Sequence, residues 1–391
     1  MKHMRSVLWL STILLLTVVS AGCGGGGGGG GHKIFPDLAV ADYNNSRVLA
    51  FKQPFSNGMN AHLVIGQPDF TSGSCNQGGS VGPATLCFPY GAAQDPSGNG
   101  WVADSSNDRV LFYQAPFDNG MAASVVLGEP DFVTDTGCSS TTASTLCFPT
   151  GVVSDKDGNI WVSDDGNCRV LEFMPPFTNG MAASVVLGQA NFTDNCVTTG
   201  GQNGMDCPEF LTFDNSGNLW MSDDCNERVV EFTPPFTNGM NAALVIGQPD
   251  FTTYNCNTDQ NGLCSPEGVA FDSDGNLWVG DDANCRVLQF VPPFSNNMVA
   301  SVVLGQPDFT SDCVTTSGQA GLDDAGGVGF DSGRLYVSDY DNNRVMQFVA
   351  PFSNGMNANK VFGQPDFSTT TANTTQNGLN GPWGLSIGDT P

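Results

Sequence analysis

The sequence predicts an all-β fold, a six-bladed β-propeller of four-stranded antiparallel blades, on three observations. Two strings recur six times, each period contains four short strands, and the two ends of the chain supply complementary parts of one blade. The 391 residues are 40% apolar, which is enough side chain for a sizeable core. No stretch of ten or more residues shows the spacing of an amphipathic helix.

The repeat is defined by two strings that keep a constant order. The first, P-F-[ST]-N-G-M with small changes, recurs every 58 to 62 residues, starting at Pro54, Pro116, Pro176, Pro235, Pro293 and Pro351. The second, D-x-x-N-x-R-V, lies upstream of each and begins at Asp42, Asp104, Asp164, Asp223, Asp281 and Asp339. A fixed period of this kind indicates stacked copies of one structural unit.

One copy, starting at Pro266, shows how a period becomes a blade. The segments E-G-V-A-F-D, L-W-V-G-D, R-V-L-Q-F and S-V-V-L-G-Q are short apolar strands. They are separated by the turns S-D-G-N and D-A-N-C and by a proline-rich connection. Four antiparallel strands form a propeller blade, which must stack against its neighbours to bury both faces.

The ends of the chain predict how the ring closes. The segment beginning I-F-P-D-L-A-V corresponds to the second and third strands of a blade that lacks its first strand. The segment G-P-W-G-L-S-I-G-D corresponds to that missing strand. We therefore expect the C-terminal strand to complete the N-terminal blade, which leaves no exposed sheet edge.

The string D-G-N-L-W-V-x-D-x-x-N-x-R-V-x-x-F resembles the NHL repeat, and the resemblance extends over residues 33–391. It implies a six-bladed propeller. Enzymes with similar propellers, such as the amidating lyases and streptogramin lyase, depend on histidines that line the channel. His62 is the only histidine between residues 33 and 391, so the resemblance does not carry that chemistry over.

The first residues resemble a bacterial lipoprotein signal. Residues 1–22 contain two cations, an apolar run too short to span a membrane, and the segment S-A-G before Cys23. The resemblance implies acylation of Cys23, for example by palmitate, and residues 23–32 form a polyglycine tether. We expect a protein exported to the cell envelope and anchored by lipid to the outer membrane or cell surface. Ordinary signal cleavage is the alternative.

Charge narrows the range of partners. The formal net charge is −26 and the sequence pI is near 4.1. Such a chain is repelled by phosphate backbones, so nucleic acid is excluded as a partner.

One arginine recurs in every copy although the chain has only 13 cations. A guanidinium can pair with carboxylates while its stem packs against rings, so we expect these residues to brace the blades. The alternative is a ring of ligand-binding arginines. The six are Arg47, Arg109, Arg169, Arg228, Arg286 and Arg344.

Twelve cysteines besides Cys23 predict disulfides and an oxidising compartment. Four pairs lie within single inter-blade loops: Cys75–Cys87, Cys138–Cys147, Cys196–Cys207 and Cys256–Cys264. The remaining four are expected to pair across one face, as Cys168–Cys225 and Cys285–Cys313. Zinc is disfavoured because there is no C-x-x-C and no neighbouring histidine.

Paired aspartates in the D-x-x-N turns are the weak candidates for a metal site. They are Asp164, Asp165, Asp223, Asp224, Asp281 and Asp282. Together they could bind Ca²⁺, which takes six to eight oxygen ligands. The alternative is a set of solvated turn residues balanced by the nearby arginines. We expect no catalytic residue and no obligatory cofactor.

These features favour an envelope-anchored binding or scaffold module that presents a loop face to a protein, peptide or glycan. The alternative is a lactonase-like or lyase-like propeller enzyme with a channel metal held by carboxylates. An axis lined by backbone, serine and apolar groups would favour binding, whereas carboxylates converging on the axis would favour the enzyme. His62, Asp323 with Asp324, and Asn296 with Asn297 depart from the repeat without converging on a recognisable site.

Overall fold

Each copy of the repeat folds into one four-stranded antiparallel sheet, and six such sheets form the blades of a β-propeller. The computed structural model describes residues 38–388. The expected signal segment, Cys23 and the tether lie outside the described residues. In these residues, no helix is both long and apolar enough to cross a membrane.

The strands follow the repeat in order. They are β1 (Leu38–Asp42), β2 (Arg47–Phe51), β3 (Leu63–Ile65), β4 (Pro89–Gln94), β5 (Gly100–Asp104), β6 (Arg109–Tyr113), β7 (Val125–Leu127), β8 (Pro149–Ser154), β9 (Ile160–Asp164), β10 (Arg169–Phe173), β11 (Val185–Leu187), β12 (Pro208–Phe213), β13 (Leu219–Asp223), β14 (Arg228–Phe232), β15 (Leu244–Ile246), β16 (Pro266–Phe271), β17 (Leu277–Asp281), β18 (Arg286–Phe290), β19 (Val302–Leu304), β20 (Ala325–Asp331), β21 (Arg334–Asp339), β22 (Arg344–Val349), β23 (Lys360–Phe362) and β24 (Pro382–Ile387). The short 3₁₀ helices are Tyr43–Asn45, Cys75–Gly78, Ser105–Asn107, Gly137–Ser139, Asp165–Asn167, Asp224–Asn226 and Asp282–Asn284.

The ring closes as the ends of the sequence predict. Blade 1 has the strand order β24-β1-β2-β3, and β4–β7, β8–β11, β12–β15, β16–β19 and β20–β23 form blades 2 to 6. In blade 1, Val40 is the register partner of Leu385 and Leu38 that of Ile387. The closing blade therefore joins the two ends of the chain by a backbone ladder.

The propeller has two faces with different loops. The linker face carries the connections between blades and the D-x-x-N turns between the second and third strands. The hairpin face carries the turns between the first and second strands and the loops that begin with P-F. Because strands alternate in direction, all six copies place the same loops on the same face.

The repeated arginine ties each blade to its linkers. Arg169 is fully buried, and its Nε donates to Oδ2 of Asp164 in the same blade at 2.6 Å. Its remaining nitrogens donate to carbonyls of Phe192, at 2.6 Å, and of Thr142 and Thr145, at 2.9 Å. These carbonyls belong to the linkers that leave and enter the blade. The other five arginines pair in the same way with Asp42, Asp104, Asp223, Asp281 and Asp339. The contacts of these arginines thus lie within one blade and with the linkers on either side of it.

The P-F loops fasten each blade to the one before it. In blade 2, Oδ1 of Asn119 accepts the backbone N–H of Val64 on the outer strand of blade 1 at 3.0 Å. The same contact recurs in every blade, and Asn57 completes the circle by accepting from Val361 of blade 6. The outer strand edges are thus covered from within the chain.

Aromatic side chains fill the space between blades. Trp101 is fully buried and contacts Phe177 of the next blade, with ring centroids 4.8 Å apart. Trp161, Trp220 and Trp278 repeat this packing. All four tryptophans are fully buried in the packing between blades.

Four of the expected disulfides are confirmed: Cys75–Cys87, Cys138–Cys147, Cys256–Cys264 and Cys285–Cys313. The Cys196–Cys207 and Cys168–Cys225 pairings are wrong. Cys196 pairs with Cys168, and Cys207 pairs with Cys225, with Cα–Cα distances of 5.0 and 5.4 Å.

The reason is the path of each linker. A linker first passes over the D-x-x-N turn of the blade it leaves, where the backbone N–H of Cys196 donates to the carbonyl of Asn167. It then passes over the D-x-x-N turn of the blade it enters, where the carbonyl of Cys207 accepts the backbone N–H of Asp224. Cysteines in those turns are therefore nearer than the other cysteine of the linker. All six disulfides indicate folding in an oxidising compartment, as in an exported protein.

Candidate functional site

The axis of the propeller is lined at the linker face by one residue from each blade. Every inner strand has a register shift at its linker-face end, between Pro89 and Ala92 in β4 and at the matching place in the others. Such bulges redirect side chains next to functional sites. The second residues of the inner strands form this ring: Tyr90, Thr150, Glu209, Glu267, Gly326 and Trp383.

Glycine follows the ring residue in five blades because neighbouring inner strands nearly touch there. A Cβ on Gly151 would lie 2.2 Å from the carbonyl oxygen of Glu209. The exception is Phe210 in blade 4. A Cβ on Gly384 would lie 3.1 Å from its Cε1, so the Phe210 ring crosses the axis toward blade 1.

A second ring lies at the second residue of the D-x-x-N strings, nearer the surface of the linker face. Its members are Tyr43, Ser105, Asp165, Asp224, Asp282 and Tyr340. We call the residues of the two rings, together with Phe210, the acid–aromatic mouth. The D-x-x-N-x-R-V and P-F strings recur in every copy, whereas these two positions, like the linkers around them, differ from blade to blade.

One half of the mouth is aromatic and is supplied by blades 6, 1 and 2. Tyr90 stacks on Trp383 with ring centroids 5.0 Å apart and planes within 13°. Trp383 also contacts Tyr340 at 4.6 Å, and Tyr90 contacts Tyr43 at 5.9 Å. Phe210 approaches Tyr90 from the opposite side at 5.6 Å.

The other half is acidic and is supplied by blades 3, 4 and 5. The Tyr90 hydroxyl donates to both carboxylate oxygens of buried Glu267 across the axis, at 3.3 Å each. Glu209 lies beside it and is 7% exposed. Asp165, Asp224 and Asp282 are partly buried above the two glutamates.

Burial is the main cause of the raised pKa values in the acidic half, and neighbouring carboxylates raise them in the same direction. Removal from water, followed by the charges of Asp324 and Asp224, raises the pKa of Asp282 to about 8. The same causes raise the pKa of Asp165 to about 7 and of Asp224 to about 6. Burial and the neighbouring carboxylates hold the pKa values of Glu209 and Glu267 well above the usual range.

Three carboxylate oxygens in this half are buried and have no hydrogen-bond partner among the described residues. They are Oε2 of Glu209, Oδ1 of Asp224 and Oδ1 of Asp282. A buried acceptor without a donor costs free energy, so such atoms call for a functional reason.

The channel beyond the ring opens toward the hairpin face and is lined by both apolar and polar groups. It is a cavity of about 470 Å³ whose walls include Val152, Leu211, Val269, Val328 and Leu385. The axis thus combines the two kinds of lining that the sequence left open, one of backbone, serine and apolar groups and one of carboxylates. Backbone, apolar groups and polar side chains such as Ser154 and Ser386 line its hairpin end, whereas carboxylates and aromatic rings meet at its linker end.

The candidate metal ligands divide into two groups. Asp164, Asp223 and Asp281 are structural, because each accepts an arginine at Oδ2 and a linker backbone N–H at Oδ1, such as that of Cys147 on Asp164 at 2.6 Å. Asp165, Asp224 and Asp282 instead belong to the acid–aromatic mouth.

Groups of three side chains with ligand atoms within 4.8 Å of one another occur elsewhere in residues 38–388. Two of them contain disulfide-bonded cysteines, which are not available as ligands. The third consists of Asp323, Asp324 and Asp341 in blade 6. This carboxylate group is the one that fits Ca²⁺ chemistry.

Sequence reasoning missed the axial residues. The signal was present, because aligning the six copies at the start of the inner strand gives Tyr, Thr, Glu, Glu, Gly and Trp at one position. What the sequence did not provide was the bulge that turns this position toward the axis.

Comparisons with known proteins support the repeat and the fold. The family model of the NHL repeat matches residues 146–173 and 263–290. Peptidyl-glycine alpha-amidating monooxygenase B of Xenopus laevis is 29% identical over 160 residues, or 40% of this chain and 17% of that protein. The A form is 29% identical over 176 residues, or 44% of this chain and again 17% of the relative. The chain therefore spans about a sixth of the length of these relatives.

A solved structure shows the same architecture. A chain in the crystal structure of a nidogen/laminin complex superposes with a TM-score of 0.53 at 15% identity, over 89% of this chain and 97% of that one. At this identity the likeness shows the shared propeller fold.

Proposed function

We propose that this protein is an exported, lipid-anchored binding propeller that presents its linker face to a protein, peptide or glycan in the cell envelope. The observation that carries the proposal is the variation at the mouth of the axis. The D-x-x-N-x-R-V string repeats in all six copies, whereas the two rings beside it supply different aromatic, hydroxyl and acidic side chains and the surrounding linkers differ as well. A purely structural position would be expected to repeat, as the buried arginines and tryptophans do.

The linker face has the composition of a binding surface. Aromatic rings provide large rigid contacts, and Tyr43, Tyr340 and Trp383 keep part of their surface exposed. Trp383 is on an inner strand held by close backbone contacts, which fix the position of its ring in advance of binding.

The test is a binding measurement with a variant on each face. The soluble domain 33–391 is applied to glycan and peptide arrays, and hits are measured in solution. Tyr340→Ala removes a ring that packs on Trp383 at the linker face. Met174→Ala removes a side chain that is 49% exposed at the hairpin face and serves as the control. We expect at least tenfold weaker binding for Tyr340→Ala and no change for Met174→Ala. Equal effects of the two would contradict the proposal.

The anchor has a separate test at Cys23. Expression of the full chain with Cys23→Ala should abolish incorporation of labelled palmitate and release the domain from the membrane fraction. Unchanged membrane association would contradict lipid anchoring without affecting the binding proposal.

A propeller enzyme with a channel metal is the second candidate, and the carboxylates at the linker end of the axis favour it. The partial similarity to amidating monooxygenases points in the same direction. The ligands available for a metal are Asp323, Asp324 and Asp341. This candidate would be supported if the purified domain contained stoichiometric Ca²⁺ or Zn²⁺ and hydrolysed an ester or lactone, and if Asp324→Asn lost both the metal and the turnover. Metal-free protein without turnover would oppose it.

A further inference from the structure

We propose that the acid–aromatic mouth binds an organic ammonium cation between the carboxylates of blades 3 to 5 and the rings of blades 1, 2 and 4. This refinement rests on the proposed function, because it assigns a ligand chemistry to the same site. Three features of the mouth support it.

The first feature is a group of carboxyls without a cationic partner among the described residues. The six repeated arginines are buried and each is engaged by its own aspartate and linker carbonyls, so they do not neutralise the mouth. The other cations among the described residues are Lys52, Lys156, Arg334 and Lys360, which lie on the hairpin side or on an outer strand. Burial raises the pKa values of these carboxyls, so a cationic ligand would favour their ionised form and take the place of the protons that otherwise neutralise them.

The second feature is the set of unpartnered oxygens. Glu209 is more than nine-tenths buried, and its Oε2 accepts no hydrogen bond from residues 38–388. Asp224 and Asp282 each hold a similar oxygen above it. Each oxygen can face a positive charge at the axis.

The third feature is the aromatic wall opposite the carboxylates. The stacked rings of Tyr90 and Trp383, with Phe210 across from them, provide π surfaces next to the acidic half. A cation within about 6 Å of such a ring is attracted by its quadrupole. Carboxylates on one side and rings on the other match a charge that carries apolar substituents.

This arrangement favours an organic cation over a metal ion. A metal requires ligand atoms that converge closely, and the groups within 4.8 Å among the described residues do not include Glu209, Glu267, Asp165, Asp224 or Asp282. An alkylammonium group is larger and tolerates a wider spacing of carboxylates.

The experiment compares choline with its uncharged isostere 3,3-dimethylbutan-1-ol by isothermal titration calorimetry on the soluble domain. We expect saturable binding of choline and at least tenfold weaker binding of the alcohol. Trp383→Leu should weaken choline binding roughly two- to thirtyfold, the range of a cation–π contact. Glu209→Gln keeps the side-chain shape and should weaken it at least about tenfold, because glutamine cannot ionise to balance the bound cation. Asp274→Asn, on the exposed hairpin turn of blade 5, is the matched control and should leave it unchanged.

The outcomes separate this inference from the proposed function. Equal binding of the two isosteres, displacement of choline by Ca²⁺ at similar concentration, or full binding by Glu209→Gln would each overturn the inference. Absence of choline binding while array ligands still depend on Tyr340 would overturn the inference and leave the binding role standing. Choline binding without any array ligand would support the inference and contradict a macromolecular partner. Circular dichroism and disulfide content check that each variant is folded.

Discussion

Replacing Asp282 by asparagine should stabilise the protein at alkaline pH. In the folded state the carboxyl holds its proton up to about pH 8, because burial and then the charges of Asp324 and Asp224 oppose ionisation, against an ordinary value of 3.8. A raised folded-state pKa contributes stability that is fully present below the unfolded value and is lost as the pH rises through the folded value. Asparagine removes the ionisation and hence the loss.

The magnitude follows from the shift. The interval from 3.8 to about 8 corresponds to a ceiling of roughly 6 kcal/mol at about 1.4 kcal/mol per pH unit. We expect a gain of about 2–5 kcal/mol at pH 8.5, because neighbouring carboxylates that titrate over the same range share the cost. The gain should shrink steadily toward pH 5.

The assay is guanidinium chloride unfolding at pH 5.5, 7.0 and 8.5 with the disulfides intact, followed by tryptophan fluorescence. The control is Asp274→Asn, which removes the same charge from an exposed turn of the same blade. A difference between Asp282→Asn and the parent that does not change with pH would refute the reasoning. So would an equal gain from Asp274→Asn.

Three further substitutions test the architecture by the same unfolding assay. Glu129 occupies the position of a glutamine that in the other blades donates to the carbonyl 21 residues upstream, and its buried Oε2 has no partner among residues 38–388. Glu129→Gln should therefore add about 1–3 kcal/mol, and the reverse change Gln189→Glu should remove a similar amount. Arg169→Met should lower the free energy of unfolding by about 3–5 kcal/mol, because it leaves the buried carboxylate of Asp164 uncompensated. A loss of stability smaller than that caused by substituting an exposed lysine would contradict the bracing role. Gly151→Ala should cost at least about 1–3 kcal/mol, because its Cβ would lie 2.2 Å from a backbone oxygen; unchanged stability would show that the inner ring can expand.

Much of the fold could be predicted because its determinants lie within one period. The D-x-x-N-x-R-V string contains both partners of the buried ion pair, five residues apart, as in Asp164 and Arg169. Strand order within a blade follows from short connections, and closure follows from the complementary ends. These contacts are local or repeat at a constant offset, so one copy predicts the others.

The site was less accessible because it is formed by residues far apart in the chain. Tyr90 meets Glu267 across 177 positions, and Trp383 reaches Tyr90 only after the ring has closed. The paired aspartates were recognised, but the sequence did not separate those that bind arginine from those at the mouth. The disulfide between Cys207 and Cys225 was missed for a similar reason. Counted from the first aspartate of the D-x-x-N string, a cysteine at the third position faces the linker that enters the blade, whereas one at the fifth position faces the linker that leaves it.

By itself the sequence determined the number of blades, the strands in each and the way in which the chain closes on itself. It did so because a repeated pattern of turns and apolar alternation leaves one stacked arrangement that buries every sheet. Only the tertiary structure decided which variable side chains meet at the axis and which linker cysteines are neighbours. Both depend on the bulges and loop paths through which six separate segments converge, and no single period contains that information.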